Sequence, residues 1–246
     1  LIATLLYLFT CPIALLASSS DVLNEIRRLH DGKGAVCAEA AEALRAAGMD
    51  ALHAFDENFA DLDSMAQHLF CTEVIPNLPA AETHELLLEW LRETLPLADQ
   101  INELSRREQA GEDVRSLEAQ FAPLIMTYRK LRWTLQALAQ LGMADDYDLV
   151  QAAYLNDHHV SDLHRELVRT MYALSPQRAM ADFDSFARSA DPDKRAKGLW
   201  SYQQAHYAPP CETVRPYFND QHENVREAAH QLIYLLDRDC LDLLIE

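Results

Sequence analysis

"YLNDHHVSDLH", residues 154–164, and "YFNDQHENVRE", residues 217–227, share an opening aromatic, an Asn-Asp pair and a histidine-bearing polar run. A third stretch lies between them, "FARSADPDKRAKGLW" from Phe186, so that an aromatic recurs after 32 and then 31 residues. Each aromatic stands near the end of an apolar helical pattern. Each is followed by a short polar turn, "NDHH", "SADPD" or "NDQHE", and then by a second pattern: "VSDLHRELVRTMYAL", "DKRAKGLWSYQQAHY" and "ENVREAAHQLIYLL". The first helices also open alike, on acidic "ADDYD", then "SPQ", then "PPCET"; proline suits a first helical turn, where its missing N–H costs nothing. Self-similarity at this period predicts stacked helical pairs, because one pair cannot bury its apolar face alone.

The turn and second-helix residues, "DPDKRAKG" (Asp191, Pro192, Arg195, Gly198) and "HENVREAA" (Val225, Arg226, Ala228, Ala229), resemble the HEAT repeats and the bacterial HEAT-like repeats. The resemblance covers residues 145–246. It implies an α-solenoid in which small residues let helices approach closely and the arginine reaches back to polar groups at the turn. The first pair departs from the motif, with Leu163 where the arginine is expected. "DRDCLDLLIE", residues 237–246, reads as the opening helix of a further, partial unit, giving three pairs and a fragment over 143–246.

Against this frame the cluster His158, His159, Asp162 and His164 has two readings, a metal site or an interhelical turn. His158 and Asp162 are four apart and could share a helical face, whereas His159 and His164 are five apart, and the spacing matches no recognised zinc pattern. The repeat alignment puts the first two histidines in a turn, where polar residues belong. The deoxyhypusine hydroxylases, which are built on HEAT repeats, hold two irons with His-Glu dipeptides. Here only His222-Glu223 lies in the repeat region, His84-Glu85 lying outside it, and that set cannot hold two irons. A likeness to the bilin lyases rests on fold alone and assigns no residue. The chain has no G-x-S-x-G elbow, no phosphate-binding glycine loop and no H-E-x-x-H.

Upstream, residues 20–142 read as helical. "SSSDVLNEIRRLH", "GAVCAEAAEALRAAG" and "MDALHAFDENFADLDSMAQHLF" are short amphipathic helices with capping residues and a Gly48 stop. After Pro76 and Pro79 the pattern lengthens. Leu87, Trp90, Leu91, Leu97, Ile101 and Leu104 form one apolar stripe, and Val114, Leu117, Phe121, Leu124, Tyr128, Leu131, Leu135 and Leu138 form another. Gly111 separates them, so residues 80–141 predict a long antiparallel helical hairpin, with Pro96 and Pro123 expected to kink its arms.

Few glycines (6 of 246) and abundant Ala, Leu, Glu and Arg favour an all-α chain. The net charge of −18 disfavours nucleic acid and anionic lipid as partners. Residues 1–17, "LIATLLYLFTCPIALLA", are uncharged and precede "SSSD"; residues 1–19 read as a signal peptide, an uncleaved membrane anchor or a buried apolar helix. The first reading predicts export, to a bacterial periplasm or the extracellular space. It leaves Cys37, Cys71, Cys211 and Cys240, which are either two disulfides, Cys37–Cys71 and Cys211–Cys240, or four buried thiols.

The functional expectation is a non-catalytic protein-binding or scaffolding module with no cofactor. Trp200, Tyr202 and Tyr207, with Arg195 and Arg226, are its candidate binding residues. The alternative is a repeat-built metal- or cofactor-dependent enzyme.

Overall fold

The computed structural model describes residues 18–31, 34–156 and 162–236, and among these every regular element is helical. The apolar leader, His158, His159, Cys240 and the fragment at 237–246 lie outside the described residues, as does the side chain of Asp162. The chain divides after Leu141 into two compact units.

The N-terminal unit opens with α1 (Ser19–Asp31), α2 (Ala35–Ala47) and α3 (Met49–Asn58). Gly48 makes the sharp turn between α2 and α3 at φ +62°, a left-handed conformation that glycine adopts freely, and its N–H closes α2 on the carbonyls of Leu44 and Arg45. The next pattern, "FDENFADLD", breaks at its last acid. Asp63 accepts from the N–H groups of Met65 and Ala66, both at 2.9 Å, and so starts α4 (Ser64–Leu69). Buried Gln67 donates to the carbonyls of Phe59 (2.7 Å) and Leu62 (3.1 Å), which fixes the break. A π-helical turn, Phe70–Val74, follows directly. Phe55 gathers the core here, stacked on Phe70 with centroids 4.1 Å apart and edge-on to Phe59 at 5.4 Å.

The expected hairpin is α5 (Ala80–Gln109) packed on α6 (Val114–Leu141). Leu87, Trp90, Leu91 and Leu104 of α5 and Leu131, Leu135 and Leu138 of α6 are buried, while Leu124 and Tyr128 of the expected α6 stripe are half-buried. Gly111 terminates α5 at φ +86°, and the Glu112 N–H returns to the Arg107 carbonyl at 3.1 Å. Both helices continue through their prolines, α5 past Pro96 and α6 past Pro123, so neither residue ends its arm.

The C-terminal unit holds α7 (Tyr147–Asn156), α8 (Asp162–Leu174), α9 (Pro176–Ala187), α10 (Pro192–Gln204), α11 (Cys211–Val214) and α12 (Glu223–Gln231). Packing follows chain order, α7 on α8, α8 on α9 and α9 on α10, while α10 also contacts α8 and α12. Its core is an aromatic row through Tyr154, Phe183 and Tyr202, all fully buried. The third "first helix" is the exception to the expected pattern. Only four residues are α-helical before a 3-10 turn over Arg215–Asn219, where Pro216 lacks the N–H an α-helix would use.

Candidate functional site

The burial pattern of α8 recurs along α10 at a spacing one residue shorter than that of the aromatics before them. Burial along α8 matches burial along α10 at a separation of 31: Glu166, Leu167, Val168, Thr170 and Met171 are buried, and so are Lys197, Gly198, Leu199, Ser201 and Tyr202. Two hydrogen bonds recur with it, Thr170 Oγ1 to the Glu166 carbonyl at 2.7 Å and Ser201 Oγ to the Lys197 carbonyl at 2.8 Å. His164, rather than Leu163, therefore occupies the place of Arg195. The aromatic spacing of 32 between Tyr154 and Phe186 differs from this by one residue, since turns absorb single-residue differences that helix packing does not.

The turn edge is built from Asp191, Arg195, Asp220 and Arg226. Asp191 caps α10 through the Asp193 N–H at 3.0 Å. Arg195 donates back to the carbonyls of Ser189 (3.0 Å) and Ala190 (2.8 Å) and forward, through Nε and Nη2, to both oxygens of Asp220 at 3.1 Å. Arg226, 31 residues on, donates at 2.7 Å to the carbonyl of Asp220, six residues back, as Arg195 does to Ser189. Asn224 Nδ2 bonds Asp193 Oδ1 at 2.8 Å, tying one turn to the next. Burial opposes ionisation of Asp220, but the His222 N–H and the Arg195 guanidinium outweigh it and hold the carboxyl below the usual range. With side-chain exposures of 13% and 12%, Arg195 and Asp220 form a largely desolvated, bidentate pair.

Beneath the edge lies a buried polar cluster that sequence did not reveal. The Tyr154 hydroxyl lies 2.9 Å from Ser201 Oγ, which is 3.4 Å from His164 Nε2, and all three residues are fully buried. Lys197 stands over the Tyr154 ring at 4.2 Å and donates to the Tyr154 carbonyl near the end of α7, where a cation suits the helix dipole. A serine beside a histidine is the beginning of a nucleophile–base pair. Here the serine already donates to the Lys197 carbonyl within its own helix, and the buried cluster links α7, α8 and α10.

A second unforeseen arrangement explains the paired acids of α9. Asp182 accepts from the Tyr147 hydroxyl and Gln151 Nε2, both at 2.6 Å, while Asp184 accepts from the Tyr202 hydroxyl. Two residues apart on a helix point in different directions, so one acid bonds α7 and its neighbour α10. Burial and then the bonded carboxylates push both phenols up. Arg178 covers the Tyr147 ring at 4.1 Å and pairs with Asp148.

The sequence-predicted residues thus separate. Tyr202 is fully buried and belongs to the core, correcting its reading as a binding residue. Tyr207 is half-buried against it, centroids 6.2 Å apart, and Trp200 is half-buried on α10. Arg195 and Arg226 serve the turns. His164 is fully buried, and among the described residues no three His, Cys, Asp or Glu side chains are placed to hold a metal. Cys37 and Cys71 are free thiols, so the expected bond between them is not formed, whereas Cys211 is disulfide-bonded to a residue outside those described. Among the described residues no helix is long and apolar enough to cross a membrane.

No protein-family model matches the chain, and neither a curated protein nor a solved structure matches it.

Proposed function

We propose that the chain is a non-catalytic protein-binding or scaffolding module whose C-terminal unit is a short HEAT-like α-solenoid. The observation that carries this reading is recurrence. The back-bond of α8 returns in α10, the arginine-to-turn contact returns at Arg195 and Arg226, and both do so at 31 residues. Helical pairs related in this way present equivalent positions side by side as one extended surface. The polar groups that could do chemistry, Ser201, His164 and Lys197, are committed to holding the pairs together.

Affinity capture from the native source tests the module: a protein partner retained at stoichiometric level supports it. Stoichiometric iron or zinc that disappears on substituting His158, His159 or His164 favours the enzyme instead. We also propose export, for which the disulfide at Cys211 is the support, since such bonds persist in oxidising compartments. Protein taken from its native location with Cys211 reduced counts against that proposal.

A further inference from the structure

We draw no further inference here: the strongest candidate, the concavity along the exposed face of α5 lined by Glu85, Leu88, Glu89, Arg92 and Glu93, is an acidic surface patch, and nothing in the structure shows what covers it.

Discussion

Gly198 is the position where a single atom is most costly. A Cβ there would sit 2.4 Å from the Ala187 nitrogen and 2.7 Å from the Phe183 carbonyl oxygen, both of them backbone, so α9 and α10 would have to separate. Gly198→Ala is expected to destabilise the C-terminal unit by about 1–3 kcal/mol or more, read as a lower urea midpoint. The Arg195–Asp220 pair is the second sensitive point. Arg195→Met strands a largely desolvated carboxylate, with an expected loss of about 3 kcal/mol. Its pH dependence follows from sign. The Asp220 carboxyl is held below its unfolded value, so its contribution is complete above the unfolded value of about 3.9 and is lost as pH falls through the folded one. Melting between pH 5 and pH 2, where Asp220→Asn should flatten the acid limb, measures it. Arg195 and Gly198 were legible because their role follows from the turn motif. Lys197, Asp182 and Asp184 were not, because each acts on a helix far away in sequence, and no local pattern says which neighbour a side chain will meet.

At the scale of the element, legibility tracked periodicity. The stripes of α5 and α6 and the glycine between them specified a hairpin, since an apolar repeat of 3.6 residues admits one buried face. Short elements were harder. One pattern from Met49 to Phe70 became two helices because Asp63, a better N-cap than a mid-helix residue, claims two free N–H groups. Asp63→Ala is therefore expected to cost about 1 kcal/mol and to fray α4 first, seen as faster amide exchange at Met65 and Ala66. The second helices α8 and α10 match at 31 residues rather than the 32 of the aromatics for a related reason: each aromatic lies across a turn from the helix that follows it. Ser201 is the element-scale check on the corrected register. Ser201→Ala removes one hydrogen-bond partner of the buried Tyr154 hydroxyl and should cost about 1 kcal/mol, read as a lower urea midpoint.

At the scale of the whole molecule, the cysteines report on the two units separately. Cys71 is buried in the π turn and its thiol is pushed up by desolvation, which keeps it neutral and unreactive, while Cys37 is half-exposed. A thiol reagent on the native protein should label Cys37 within the time that Cys71 stays unlabelled, and unfolding of the N-terminal unit should release Cys71. Cys211 belongs to the other unit and is already oxidised. Reductant is therefore expected to leave the labelling of Cys71 unchanged while it lowers the stability of the C-terminal unit, by about 2–4 kcal/mol for a typical disulfide. Hydrogen exchange at Leu199 and Val225 on one side and at Leu52 and Leu91 on the other reads the two units in one experiment, all four residues being fully buried. Faster exchange at all four positions on reduction would overturn this expectation. Faster exchange confined to Leu199 and Val225 ties the Cys211 disulfide to the stability of the C-terminal unit.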